Sequence, residues 1–304
     1  MIDLKEILTE IHITASWENV RHTTNFECMG LCHISATNAL SFLDAEKYIK
    51  NIGSVDNLFL ITEDIAKSHP EISGVVVLDP RYVFYSVHNH LTGDPRYTRR
   101  SFNSIKGKNC NISPLAYISE QNVLIGDNAI IEEFVSIKEN TEIRDNVLIR
   151  AGSVIGGEGF EYKRNQKGIL GVKHLGGVLI HDNVEIGCNT CIDKAIFPSD
   201  NTILGDDCKI DNLVHVGHAC KVGSGTLITA GVILGGRVIT GENVWLGINA
   251  TVRNGITIGE RAEISMGAVV TKDVHAGSRV TGNFAIAHEQ FLHNLKSEIN
   301  QSVE

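Results

Sequence analysis

An aliphatic residue returns at every sixth position through most of the second half of this 304-residue chain. Ile125, Ile131, Ile137, Ile143, Ile149 and Ile155 open the series, and Ile180, Ile186 and Ile192 resume it. Leu204, Ile210, Val216, Val222, Ile228, Leu234, Thr240, Leu246, Val252, Ile258, Ile264 and Val270 carry it on, broken by one threonine. A second register stands two residues ahead of the anchors and holds small or β-branched side chains, as at Val123, Ala129, Cys208, Cys220, Ala250 and Ala262. A period of six fits neither a helix nor a flat strand; it fits a parallel β-helix in which both registers turn into a narrow prism. Three faces of six residues make an 18-residue coil, coils stack at about 4.8 Å, and roughly seven or eight coils fit the chain. Glycine follows many anchors (Gly126, Gly187, Gly205, Gly217, Gly223, Gly235), which predicts tight corners where positive φ is cheap.

The other segments lack this period. Residues 1–104 predict a small α/β domain, with helix-like apolar spacing over 37–51 and β-rich runs at Asn57–Thr62 and Gly74–Leu78. The stretch 93–108 reads as a solvated connector. The prism is expected over 109–276, followed by a tail and a capping C-terminal helix within 277–304, where Phe291, Leu292, Leu295 and Ile299 have helical spacing. Two segments, 156–177 and 193–201, interrupt the repeat; a solenoid accommodates them as loops leaving one face, where binding sites are often built.

Composition narrows the function classes. Hydrophobic residues make up 42% and charged residues 21%, ordinary for a soluble protein. No run approaches the roughly 18 apolar residues of a membrane span. The N-terminal MIDLKEILTEIH has neither a basic n-region nor an apolar h-region, so a cytoplasmic address is expected. A formal charge of −9 argues against nucleic acid. The Cys28/Cys32 and Cys188/Cys191 pairs each lack a matching second pair, so all seven cysteines are expected to be free structural thiols.

Chemistry points to the run VHVGHACKV. His215 and His218 lie outside both inward registers and are expected to face solvent or a neighbouring subunit. One coil beyond His218 comes Gly236. A glycine stacked on a histidine leaves an approachable N–H beside a potential base, as acyl transfer needs: the base takes a proton from the nucleophile and the N–H stabilises the oxyanion. Asp211 and Asn212 are candidates to orient the imidazole or hold a substrate hydroxyl.

With Phe42-Leu43 and Tyr48, the loop Gly156-Gly157-Glu158-Gly159-Phe160-Glu161-Tyr162, Val184-Glu185-Ile186-Gly187 with Thr190, Ile192-Asp193, and Asp211-Asn212 through His218, the chain resembles the UDP-3-O-acylglucosamine N-acyltransferases of lipid A biosynthesis over nearly its whole length. The resemblance implies a left-handed prism assembled as a homotrimer with sites between adjacent prisms. It makes His218 the catalytic base, gives the oxyanion N–H to Gly236, and places the uracil between Phe42 and Tyr48. Phe160, Tyr162, Asp211, Asn212 and His215 are the remaining substrate-binding candidates. The acyl donor is a thioester of acyl carrier protein or coenzyme A, with no metal and no permanently bound cofactor. The departures are Ala45 and Ala219 where the family has asparagine, Glu161 where it has glycine, and Asp193-Lys194-Ala195 for Asp-Arg-Gly. The C-terminal segment carries Lys296 against Glu289 and Glu298, without a basic face for an acidic carrier protein.

Residues 244–252 and Val269 to Val274 resemble coenzyme A-dependent sugar acetyltransferases, as does Gly282-Asn283-Phe284-Ala285, which makes Arg237, Arg253 and Lys272 donor-binding candidates. The function expected is transfer of an acyl group, such as a 3-hydroxyacyl group, to the amine of a UDP-linked amino sugar. The alternative is a coenzyme A-dependent nucleotide-amino-sugar N-acetyltransferase for O-antigen or another surface glycan. Two further classes rank lower. A zinc enzyme using His181, His215 and His218 is disfavoured because side chains three apart on an extended chain diverge. A non-catalytic assembly β-helix leaves the pairing of His218 with Gly236 unexplained.

Overall fold

Short strands that close on the six-residue anchors stack into a three-sided parallel prism. The computed structural model describes every residue except 22, 34–35, 55, 167, 283–284, 286, 291 and 295–304. Among the described residues the prism has two faces of eight strands and one of nine. The first face includes Ile105–Lys106, Asn201–Leu204 and Lys221–Val222; the second includes Lys209–Ile210 and Trp245–Leu246; the third includes Cys191–Asp193, His215–Val216 and Ile233–Leu234. Ile105–Lys106 starts the prism a few residues ahead of the expected 109. Register follows the 18-residue step: Val216 pairs Leu234, Leu234 pairs Val252 and Val252 pairs Val270. Ile143 pairs Ile180, and Ile192 pairs Val216, where inserted segments lengthen a coil. Both inward registers form one continuous core that includes Cys208 and Cys220. Burial pushes those two thiols up to about 11 and about 12.

The corners differ from expectation. Gly126, Gly187, Gly205, Gly217, Gly223 and Gly235 do not take positive φ; that conformation falls mostly three residues after an anchor, at Asn128, Asn140, Asn146, Asn183 and Asn189 and also at Gly152, Gly225 and Gly231. Asparagine tolerates the left-handed region because its short polar side chain bonds locally. Here Asn128 Nδ2 donates to Asn146 Oδ1 at 3.0 Å, and Asn109 to Asn128 at 3.3 Å, forming a ladder along one edge. The post-anchor glycines answer a different need, close approach between coils. A Cβ on Gly223 would stand 2.2 Å from the Gly241 carbonyl oxygen, and one on Gly217 would stand 2.7 Å from the Gly236 nitrogen.

In the N-terminal region, strands Cys28–Met29, Ala39–Leu43, Leu58–Ile61 and Gly74–Val76 form a parallel sheet. The expected helical segment 37–51 is instead the strand Ala39–Leu43 followed by a 3-10 turn over Glu46–Asn51. Its first half is an inner strand covered on both faces. Such strands read as continuous apolar runs, which alternation does not reveal. Helix Pro80–His90 packs on the sheet, capped by Asp79, whose carboxylate accepts from the Tyr82 N–H at 3.0 Å.

Both interruptions of the repeat seat this domain on the prism. Val172, Ile196 and Phe197 join its core, with Phe197 at 5.7 Å from Phe84 and 5.4 Å from His88, centre to centre. Arg99 donates to the carbonyls of Pro198 and Asp200, each at 2.8 Å. Residues 162–165 and 168–171 form an antiparallel hairpin within the longer insertion. Of the expected C-terminal helix, 288–290 and 292–294 are helical, while Phe291, Leu295, Lys296 and Ile299 lie outside the described residues.

Candidate active site

The corner between the third and first faces carries a column of residues one coil apart: His218, Gly236, Asn254 and Lys272. The 18-residue step therefore places Gly236 on His218. A Cβ on Gly236 would stand 2.5 Å from the imidazole Nε2, so only glycine leaves the ring room. At the other two corners of the lower coils the equivalent amide is capped by a side chain from the next coil, as Asp127 N–H is by Asp145 at 2.7 Å and Cys188 N–H by Asn212 at 2.6 Å. Among the described residues the Gly236 N–H has no such partner. An uncapped, fixed N–H beside an imidazole can bind developing negative charge.

Of the two surroundings expected for His218, solvent or a neighbouring subunit, open solvent is not what it meets within one chain. It is buried at 6% exposure because the long insertion folds over it. Gly159 makes this possible: a Cβ there would stand 2.9 Å from His218 Cδ2. The next inward-pointing residue, Glu161, brings Oε2 to 3.2 Å from His218 Nε2 and 3.5 Å from Arg237, and also accepts from Lys163. Burial alone would raise this carboxyl's pKa. The hydrogen bonds from His218 and Lys163 and the charges of Arg237 and Lys163 outweigh it, holding the group well below the usual carboxylate range. The glycine-to-glutamate departure thus stands at the centre of the site.

Two further groups escaped the sequence reading. His174 is buried, with its ring 5.5 Å from that of His218 and neither nitrogen partnered. Burial and the neighbouring His218 push its pKa down to about 4, so it stays neutral. Asp193 lies 3.6 Å from His215, and burial raises its pKa despite the two histidines.

Beside this corner a cavity of about 370 Å³ opens between the N-terminal domain and the prism, lined by Phe42, Tyr48, Arg81, Tyr85, Lys163 and Arg237 together with Glu161 and Asn254. Phe42 and Tyr48 are thus brought together across one space, from a strand and a 3-10 turn. Arg81 lies over the Phe42 ring at 5.6 Å and is held by Asp44 at 2.7 Å. Burial raises the Tyr85 hydroxyl to about 12, so it remains protonated. Arg237, expected on the donor side, is here tied to Glu161 and lines the aromatic cavity.

Other expected site residues stand apart. Phe160 and Tyr162 flank Glu161 but point the opposite way, as strand alternation requires, and are exposed with their rings 4.7 Å apart. Asp211 and Asn212 occupy the corner between the second and third faces, where Asn212 caps Cys188; neither meets His218 in this chain. Arg253 and Lys272 are exposed on the His218 corner, further up the column. His181 sits at another corner, 3.8 Å from Asp206, so the zinc triad with His215 and His218 does not assemble. Among the described residues no helix is long and apolar enough to cross a membrane.

Residues 122–157, 201–236 and 237–272 match the family described as bacterial transferase hexapeptide (six repeats). A UDP-3-O-acylglucosamine N-acyltransferase of Helicobacter pylori is 31% identical over 264 residues, covering 79% of this chain and 76% of the relative. The protein of that name in Helicobacter hepaticus is 34% identical over 241 residues, 72% of either chain. UDP-3-O-acylglucosamine N-acyltransferase 2 of Legionella pneumophila is 48% identical over 141 residues, 46% of this chain and 40% of its own. Among solved structures, a UDP-N-acetylglucosamine acyltransferase from Campylobacter jejuni superposes with a TM-score of 0.54 at 22% identity over 60% of this chain and 68% of its own. That likeness fixes the prism as a left-handed β-helix. Repeat, register and relatives agree: the chain belongs to the UDP-3-O-acylglucosamine N-acyltransferase family.

Proposed function

We propose that this protein transfers an acyl group from a thioester to the amine of a UDP-linked amino sugar. The observation that carries this reading is the uncapped Gly236 N–H stacked against the His218 imidazole. His218 takes a proton from the sugar amine as its nitrogen attacks the thioester carbonyl. The Gly236 N–H stabilises the tetrahedral oxyanion, and collapse expels the thiolate, which regains the proton from the imidazolium. The uracil lies between Phe42 and Tyr48, and Arg81, Lys163 and Arg237 supply cations for the diphosphate.

The donor approaches along the corner above Gly236. Asn254 and Lys272 mark successive coils about 4.8 Å apart, with Arg253 beside them, a cationic rail for an acidic carrier protein or the phosphates of coenzyme A. Copies of the chain pack as a trimer through the second face, where Trp245, Ile248 and Met266 line an open apolar hollow. We assign the enzyme to the cytoplasm, where thioesters and nucleotide sugars are made.

Incubating the protein with UDP-amino sugars and with both thioester classes, and following thiol release and the acylated sugar, tests the assignment and identifies the donor. His218→Ala should slow transfer by about 10²–10⁴-fold while circular dichroism stays unchanged. Turnover retained in that variant would remove His218 from the mechanism.

A further inference from the structure

The cavity that receives the nucleotide sugar reaches Glu161 and Arg237 but does not reach His218, which lies behind them. Glu161 is ionised, and an ionised carboxylate only accepts hydrogen bonds. Its Oε2 stands 3.2 Å from His218 Nε2, so in the neutral imidazole the negative charge favours the hydrogen on Nε2, the nitrogen beside Gly236, and the lone pair on the buried, unpartnered Nδ1. With its hydrogen committed to Glu161, Nε2 has no lone pair to take a proton from any nucleophile. The carboxylate also occupies the space in front of Nε2 where a nucleophile has to stand.

We infer that Glu161 is a gate that decides which nucleophile His218 serves, covering the base against water until the acceptor sugar arrives. This inference rests on the proposed acyl transfer. Two of the three groups that hold Glu161, Lys163 and Arg237, line the cavity and are cationic. A nucleotide diphosphate competes with Glu161 for both cations. Once they turn to the phosphates, Glu161 keeps only the imidazole, and residues 158–161, which follow the paired strand Val154–Gly157, can lift it away. Freed of the carboxylate, the imidazole exchanges tautomer through water, the hydrogen leaving Nε2 and one arriving at the unpartnered Nδ1, and the unprotonated Nε2 then faces the sugar amine. In the empty enzyme the gate suppresses a side reaction: water, deprotonated by His218, adds its oxygen to the thioester carbonyl, the C–S bond breaks, and the leaving thiolate takes the proton back.

The test measures acceptor-independent thioester hydrolysis and the labelling of His218 by diethyl pyrocarbonate, read by peptide mass spectrometry with exposed His12 and His275 as internal standards. In the wild type both should be slow. Glu161→Ala should raise His218 labelling and acceptor-independent thioester hydrolysis about tenfold each, so that hydrolysis gains on transfer to the sugar. Glu161→Gln, isosteric but uncharged, should move both in the same direction by a smaller factor and guards against a folding defect. Unchanged labelling in Glu161→Ala overturns the gate. Hydrolysis that stays level or falls along with transfer also overturns it, since Glu161 then only orients the base. Should the wild type acylate no amino sugar, the proposed function fails on its own, and the labelling still judges whether Glu161 covers His218.

Discussion

Gly236 shows how far a single residue position can be argued. Its worth lies in what it lacks, because a methyl group there enters the space of the His218 ring, 2.5 Å from Nε2. Gly236→Ala should therefore cut kcat by about 10²–10³-fold by displacing the imidazole and crowding the oxyanion, with little change in KM for the nucleotide sugar. Steady-state kinetics on the purified variant check this; a KM effect with kcat intact would show that the glycine is needed for binding alone. The pair was legible in the sequence because one coil is a fixed 18-residue ruler. Glu161 and His174 were not placed so readily, because they reach the site on an insertion whose path no repeat dictates. The one signal was that Glu161 stands where the family has glycine, and a charge replacing a glycine in a loop over a base has to find partners.

At the scale of the repeating element, the six-residue pattern specifies faces, anchors and register, and the prism follows it closely from Val123 to Val270. What the pattern left ambiguous was the division of labour at the corners. Glycine serves both positive φ and close approach, and spacing alone does not separate the two; the structure gives more of the left-handed positions to asparagine than to any other residue type, and places glycines right after the anchors where a Cβ would meet the next coil. Asn128, with φ +59° and two ladder partners, makes the distinction testable. Asn128→Ala should lower stability by about 1 kcal/mol, since a Cβ without a compensating side chain is strained there. Asn128→Gly should cost less, because glycine accepts the conformation freely. Equal losses of denaturation midpoint in the two variants would mean that the ladder hydrogen bonds, and not φ, set the preference.

The whole molecule depends on the two places where the repeat fails. The sequence marked both insertions as loops leaving a face but gave no partner for them, because apolar residues such as Val172, Ile196 and Phe197 are too few to form a pattern. They bind the N-terminal domain, and His88 stands in that joint: its Nε2–H donates to the Lys173 carbonyl at 2.8 Å, and the Tyr97 hydroxyl donates to Nδ1 at 2.7 Å. Burial depresses the His88 pKa from 6.5 to about 4. A depressed histidine pKa means the unfolded chain binds the extra proton first, so stability is full above about pH 6.5 and falls as pH drops towards 4. The loss approaches about 3 kcal/mol at the lower end, from roughly 1.4 kcal/mol for each pH unit between the two values. His88→Gln cannot titrate, so its stability deficit relative to wild type should be largest near neutrality and shrink as pH falls through that window. Denaturant melts of both proteins between pH 7 and 4 provide the comparison. Parallel curves would place the acid sensitivity of the joint on some other group, whereas converging curves tie the seating of the nucleotide-side domain, and with it one wall of the cavity, to a single neutral imidazole.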